Sequence, residues 1–393
     1  MPKGNLLICS LLLCFTISKG QSPAFNADLS TAEKIGVNKR YSFPVSPAGF
    51  GKIQEFPLDA GRSGNYFIKE RNTCWHIIDI PYDGTFTFEI RPKSSKDDYD
   101  WMLFDYSNGI KKEESFSKLI RSNNSRNDEK IKGNTGLKTG YENLYEKPGP
   151  GKSFSKPLTV KRGQKLALII DNIYNGGDGF ELDVRLKGTS TVLLSGFIKD
   201  KVSGITLPGT VTVEDDSLGI FIGETKADSL NGYRIEIPSD INLNITATAE
   251  EHLYQTQNLK SNSADIKSDF LLDRIAAGNK LILFNLHFFP NKDALQPNSK
   301  VDLDRLIEFL QKEAEWNIKI IGHTNNNVFA SARYLQQLSF KRAIAIKNIL
   351  IKNGISEKRL SCFGMGGKYP LINTKDPVEG LRNLRVEVVL SGK

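Results

Sequence analysis

The chain has 393 residues, a formal charge of +8 and a hydrophobic fraction of 39%, which is enough material for two or three packed domains. No apolar run is long enough to cross a bilayer as a helix, which takes about 20 residues, so a helical transmembrane span is excluded. Four cysteines and four histidines, scattered along the chain, exclude a disulfide framework and a clustered metal motif.

The first element is an export signal over residues 1–20. Lys3 precedes an apolar run at 6–17, and Ser18-Lys19-Gly20 supplies small residues for cleavage before Gln21. Cys9 and Cys14 follow bulky Ile8 and Leu13, so they belong to the signal core rather than to a lipidation site. Loss of Lys3 and Lys19 lowers the charge by two from +8. A mildly basic exported protein suits an anionic envelope polymer, and its compartment argues against nucleic acid.

Residues 21–187 carry alternating or aromatic-rich runs at 75–80, 85–90, 101–106, 165–170 and 180–186. Turn signals such as Tyr82-Asp83-Gly84 and Asn175-Gly176-Gly177 separate them, which predicts a β-sandwich. The polar stretch between Ser107 and Lys156 is too long for a plain connector and is expected to be a functional or partly mobile loop. Asp97, Asp98 and Asp100, with Asp171 and Asp178, would collect at one end of this sandwich. Calcium is the one cofactor such oxygen-rich turns could take, but the spacing lacks the EF-hand order and solvated turns are the commoner case. Residues 191–259 repeat a strand–turn rhythm of period two around Pro208-Gly209 and Gly232-Tyr233, a second β-sandwich. Residues 260–270 are polar and are expected to be a linker.

Residues 271–393 change period. A strand is predicted at 281–288, and Val301, Leu303, Leu306, Ile307 and Leu310 then fall at helical spacing. A strand at 317–322 leads to a second helix through Leu338, Ala343, Ile346, Ile349 and Leu350, stopped by Asn353-Gly354. A short strand at 360–363 and the alternation of Leu384, Val386, Val388 and Leu390 complete a β-α-β-α-β-β order. The fold class is therefore multidomain, two β-sandwiches followed by an α+β domain with two helices on one face of a mixed sheet. No Gly-x-Ser-x-Gly, His-Glu-x-x-His or Cys-x-x-Cys motif occurs, and Gly149-Pro150-Gly151-Lys152-Ser153 lacks the upstream glycine of a phosphate loop. No catalytic constellation is present, and an enzyme is not expected.

Gly322-His323-Thr324, Tyr334, Leu338-Ser339-Phe340-Lys341-Arg342-Ala343 and Asn383-Leu384-Arg385-Val386-Glu387, in that order, resemble the OmpA-like peptidoglycan-associating domain. The resemblance implies non-covalent binding of the diaminopimelate stem peptide of peptidoglycan. That ligand carries a carboxylate and an ammonium, and a planar arginine with an anionic acceptor suits it. Carried over, Arg342 clamps the carboxylate and position 325 accepts from the ammonium, but here it is Asn325 rather than aspartate. Thr324 and Asn291 are added contacts. Leu335 and Leu384 replace a polar residue and an arginine of the family pattern. His323 is expected to be a hydrogen-bonded strand-end residue, and Arg385 with Glu387 a surface pair across neighbouring strands.

Two further resemblances are less specific. Arg71-Asn72-Thr73-Cys74-Trp75, Asp97-Asp98-Tyr99-Asp100-Trp101, Ser125-Arg126-Asn127-Asp128 and Asp171-Asn172-Ile173-Tyr174 resemble a jelly-roll module of exported Bacteroidetes-type proteins. Residues 191–259 resemble the transthyretin-like carboxypeptidase regulatory-like domain. Together they imply a protein of the periplasm or outer membrane of a Gram-negative bacterium, with outer-membrane or periplasmic proteins as partners. The alternatives are a scaffold of a secretion, motility or adhesion machine with a decayed wall site, a carbohydrate-binding adhesin acting through residues 21–187, and an outer-membrane barrel. The last lacks enough ten-residue alternating segments.

Overall fold

Alternation builds the first module. In the strand Gly84–Pro92, Phe86, Phe88 and Ile90 are buried while Thr85 is exposed, as a half-buried strand requires. The structure, a computed structural model, describes residues 26–56, 64–110, 118–126, 133–325, 330–374 and 376–392. The expected signal lies outside the described residues. One sheet runs in the order Glu33–Ile35, Thr73–Asp79, Lys165–Asn172, Tyr99–Asp105, Leu119–Arg126, Tyr145–Pro150. The other runs Lys39–Phe43, Phe180–Gly188, Gly84–Pro92, Thr135–Leu137, Phe154–Ser155, with Leu158–Val160 added beside Gly84–Pro92. The sheets face each other through Trp101 on Phe88, edge to face at 4.8 Å, and Tyr99 on Phe180 at 4.9 Å. Phe56, Tyr66 and Phe67 cover the outer side of the first sheet at Trp75 and Phe104, so its strands are buried on both faces.

The polar stretch between Ser107 and Lys156 is not a simple loop. Its described parts supply four strands, Leu119–Arg126, Thr135–Leu137, Tyr145–Pro150 and Phe154–Ser155. Its polar residues are structural. Asn123 Nδ2 donates to the Lys152 carbonyl at 2.9 Å, and Ser125 Oγ donates to Asn123 Oδ1 at 2.7 Å. The acidic turns are used in the same way. Asp171 accepts from the Arg71 and Asn72 amides at 3.0 and 2.8 Å, and Asp97 accepts from Asn172 Nδ2 and the Asp178 amide. Among the described residues no group of three His, Cys, Asp or Glu side chains is disposed to hold a metal ion.

The central module has a four-stranded sheet in the order Ile220–Ala227, Gly209–Asp215, Asn242–Thr248, Gln255–Lys260. It also has a three-stranded sheet, Tyr233–Pro238, Thr191–Gly196, Ile266–Lys267, and a pair, Ile198–Asp200 with Phe270–Leu272. The expected linker at 260–270 is thereby corrected: it adds parallel strands to the module. Phe270 and Leu272 are buried, while Asp265 and Asp269 accept from the Leu193 and Phe197 amides at 2.9 Å. Those carboxylates cap neighbouring backbone, so the segment is polar in composition and ordered in place.

Two adjacent carboxylates splice the modules together. Asp215, fully buried, accepts from Arg162 Nε and Nη2 of the first module at 2.9 and 3.0 Å. Glu214, the residue before it, faces the other way and pairs with Arg305 of the last domain at 2.6 Å. Arg305 also holds Asp302 at 2.6 Å, and Asn285 bridges to Asn244 at 2.6 Å and Asn258 at 2.9 Å. Buried ion pairs add little net stability but penalise any arrangement that breaks them.

The C-terminal domain comprises β1 (Lys280–Leu283), α1 (Lys300–Lys312), β2 (Ile318–Gly322), α2 (Ala332–Lys352), β3 (Leu360–Gly364), α3 (Pro377–Gly380) and β4 (Val386–Leu390). The sheet order is β1-β4-β2-β3, with β2 and β3 parallel and the other pairs antiparallel. The first strand ends at Leu283 rather than at residue 288, because Asn285 turns into the junction with the central module. Leu303, Leu306 and Leu310 of α1 and Ala343, Ile346 and Leu350 of α2 pack with Ile318, Ile320 and Val388 of the sheet. No helix of the described residues is long and apolar enough to cross a membrane.

Candidate functional site

The site sits where β2 ends against α2. Gly322 closes the strand, and a Cβ there would stand 2.2 Å from the Ser339 carbonyl. Gly364 at the end of β3 is equally tight, 2.5 Å from the Gln336 carbonyl. The two glycines let the helix backbone press directly on the strand ends. Ser339 then stitches the layers: its hydroxyl donates to the Gln336 carbonyl and accepts from the Gly366 amide, both at 2.9 Å. The Gly366 carbonyl in turn accepts from the Thr324 amide at 2.9 Å. Ala343 is fully buried against the sheet. The small residues of the Leu-Ser-x-x-Arg-Ala run thus lock the first turns of α2, and Arg342 projects from that locked segment.

Arg342 is 8% exposed. Its Nε donates to the Lys292 carbonyl at 3.1 Å, and its guanidinium lies over the Phe288 ring at 4.8 Å from the centroid. Among the described residues its terminal nitrogens have no hydrogen-bond partner, while Nε and the guanidinium face are held by Lys292 and Phe288. Burial lowers its pKa, and the charges of Tyr334 and Asp293 act the other way. Asn291 is exposed, one residue before the carbonyl that holds Arg342, in a left-handed backbone (φ 56°) that asparagine tolerates well. Thr324 is buried and its hydroxyl has no hydrogen-bond partner among the described residues. Asn325 is half-buried, with its amide beside Gly380 at the end of α3. Arg342 and Asn291 are thus tied to the loop after β1, whereas Thr324 and Asn325 are tied to Gly366 and Gly380. No hydrogen bond joins the two halves among the described residues; residues 326–329, between Asn325 and α2, lie outside them.

Two sequence expectations change here. Arg385 and Glu387 are not a surface pair on neighbouring strands. They are two residues apart, Arg385 just before β4 and Glu387 within it, both buried, and joined at 2.7 Å. Glu387 also takes Lys280 Nζ at 2.8 Å, and Arg385 donates to the Tyr369 carbonyl at 3.2 Å. Burial alone would raise the Glu387 pKa, but Lys280 and Arg385 hold it below the ordinary carboxylate value. His323 does stand at the strand end and its amide donates to the Arg385 carbonyl at 3.0 Å, yet among the described residues neither ring nitrogen has a hydrogen-bond partner. Glu387 lies 3.7 Å from its Nε2. Burial, then Arg385, pushes the imidazole down to about 4, so it is neutral at physiological pH. Leu335 is a core residue, which accounts for its departure from a polar contact. Asp293 was not singled out from the sequence. It is an exposed loop residue, and only the approach of that loop to α2 brings its charge to bear on Arg342.

Residues 287–383 match the OmpA family. Outer membrane porin F of Pseudomonas fluorescens is 30% identical over 97 residues, 25% of this chain and 29% of that protein. Outer membrane protein A of Buchnera aphidicola is 30% identical over 114 residues, 29% of this chain and 33% of that protein. The chain spans about a third of the length of these curated relatives. Among solved structures, the periplasmic domain of Helicobacter pylori MotB is 25% identical, covering 30% of this chain and 86% of that one, with a TM-score of 0.28. The segment that carries Asn291, Thr324, Asn325 and Arg342 is therefore an OmpA family domain at the C-terminus of the chain.

Proposed function

We propose that the chain is a non-enzymatic cell-envelope protein of a Gram-negative bacterium that holds peptidoglycan non-covalently through its C-terminal domain. The observation that carries this reading is Arg342: a charged guanidinium, nearly buried, held by the Lys292 carbonyl and Phe288, with no hydrogen-bond partner for its terminal nitrogens among the described residues. That geometry suits bidentate capture of a carboxylate, such as that of a diaminopimelate stem peptide. Asn325, Thr324 and Asn291 complete the polar wall for the ammonium. Asp293 adds an anionic charge to the loop that holds Arg342. A hydrogen bond to a charged group contributes about 1.5–3 kcal/mol against about 1 for a neutral pair. Asparagine at 325 therefore weakens the grip by about tenfold relative to aspartate. Residues 21–187 and 191–259, read as a jelly-roll module and a transthyretin-like module, project from the wall toward outer-membrane or periplasmic partners. The relatives are outer-membrane proteins by name, which supports an envelope location after export.

A second reading, a protein-interaction scaffold, is favoured by the tip of the central module. Val202 is 92% and Leu230 86% exposed, on two loops joined by Thr206 Oγ1 donating to the Ser229 carbonyl at 2.7 Å. Co-sedimentation of the full chain with purified sacculi separates the readings. Wild type pelleting while Arg342→Ala stays in solution supports the wall anchor. Wild type remaining in solution rejects it and leaves the scaffold.

A further inference from the structure

We propose that the cleft between the central module and the C-terminal domain is a binding site for short zwitterionic peptides. The cleft is open to solvent and has a volume of about 360 Å³, within the range of small-ligand pockets, which favour domain junctions. Its walls are the turn at Glu250 and Glu251, the crossing at Arg274, and the end of α1 with Lys312, Glu313 and then Trp316.

These walls are pre-formed. The Ile275 amide donates to the Glu251 carbonyl at 2.9 Å and the Leu253 amide to the Asp273 carbonyl at 2.8 Å. Glu251 is held in a left-handed backbone (φ 60°), a conformation that glutamate rarely adopts unforced. On the opposite wall Arg359 donates to the Trp316 and Glu313 carbonyls, both at 2.8 Å. Arg274 is aimed from behind. Its Nε donates to the buried Asp200 at 2.9 Å, and Asp200 is itself fixed by His252 at 3.0 Å and the Ser203 amide at 2.7 Å. The terminal nitrogens of Arg274 have no recorded partner among the described residues.

Among the described residues no ion pair joins Arg274 or Lys312 to Glu250, Glu251 or Glu313. Arg274 keeps its pair with Asp200 behind the cleft, and within the cleft two cations and three carboxylates stand without pairing to each other. A solute of one sign is attracted by one set and repelled by the other. A solute carrying both signs a few ångströms apart satisfies both: its carboxylate meets Arg274 and Lys312, its ammonium meets the glutamates, and the Trp316 ring covers the chain between. The site shares no residue with the Arg342 pocket and does not depend on the wall reading. Peptidoglycan stem peptides and free peptides from proteolysis both have this chemistry.

Trp75 and Trp101 are fully buried, so half-exposed Trp316 reports on the cleft through intrinsic fluorescence. The full chain is titrated with free alanyl-lysyl-alanine, with its acetylated and amidated form, and with a soluble diaminopimelate stem peptide. The expected result is a saturable change with the free tripeptide, at least about tenfold weaker for the capped form. Arg274→Gln and Lys312→Ala weaken it by about as much, Trp316→Phe abolishes the signal, and Arg342→Ala leaves it unchanged. Lys312 is exposed at a helix end, so its removal tests the site without disturbing the fold. Saturation by the stem peptide alone, lost in Arg274→Gln, also supports the site and assigns the wall as its source. No saturable change up to about 10 mM overturns the proposal, as does equal binding of the capped form. Stem-peptide binding that survives Arg274→Gln and Lys312→Ala but not Arg342→Ala overturns it while leaving the wall reading intact.

Discussion

Removing Arg305 should be among the costliest single changes in the chain. Its guanidinium is the only recorded cation paired with Glu214 and Asp302 among the described residues, and both carboxylates are buried. Burial already raises the pKa of each, with Arg305 pulling it back. Arg305→Met keeps most of the packing volume and leaves two uncompensated carboxylates. Breaking a buried pair in this way costs about 3–5 kcal/mol, whereas replacing all members by apolar residues is often neutral or better. Arg305→Met should therefore lower the urea midpoint sharply at pH 7, and the triple replacement Arg305→Met, Glu214→Leu, Asp302→Leu should recover most of it. Acid gives a second readout. In Arg305→Met the folded-state pKa values of Glu214 and Asp302 lie further above their unfolded values, so protonation relieves the strain. The deficit should shrink as the pH falls from 7 toward 4 and be largest at neutral pH. A loss below about 1 kcal/mol at pH 7, or one independent of pH, would refute the claim that this junction is sealed by a buried charge cluster.

Two further perturbations test separate parts of the account. Glu70, buried beside Glu55, has its pKa pushed up to about 8 by burial and then by the Glu55 charge. A raised carboxyl stabilises the fold below its unfolded pKa, and that stability is lost as pH rises through about 8. Wild type should melt several degrees lower at pH 8.5 than at pH 5, and Glu70→Gln should flatten that slope in differential scanning calorimetry. Gly364→Ala places a Cβ 2.5 Å from both the Gln336 carbonyl and the Phe340 amide, so α2 must lift off the sheet. A loss of about 1–3 kcal/mol is expected in denaturant melts, with weaker wall binding because Arg342 moves with the helix; an unchanged melt would mean that the close approach does not position the site.

Periodicity revealed what is local. Strands such as Gly84–Pro92 and Lys165–Asn172, and both long helices, follow from apolar spacing and turn residues alone. The strands Ile266–Lys267 and Phe270–Leu272 did not, because the polar residues around them read as a linker, whereas Asp265 and Asp269 are spent on backbone amides of distant strands. Arg342 was legible through the run around it, and Ser339 and Ala343 give that run its physical reason: one stitches α2 to the loop at Gly366, the other lets the helix lie on the sheet. Asp293, the burial of the Arg385–Glu387 pair and the Glu214–Asp215 splice were not legible. Each depends on partners brought from another module or strand, and nothing in the residue types announces which partner will arrive.

Isothermal titration of the full chain with a soluble diaminopimelate stem peptide tests the wall reading most directly. A binding event is expected that is lost in Arg342→Ala but kept in Arg274→Gln, weakened by Asp293→Asn, and tightened about tenfold by Asn325→Asp, which restores the anionic acceptor at position 325. Binding that is equal in wild type and Arg342→Ala, or absent from wild type and Asn325→Asp alike, would contradict it.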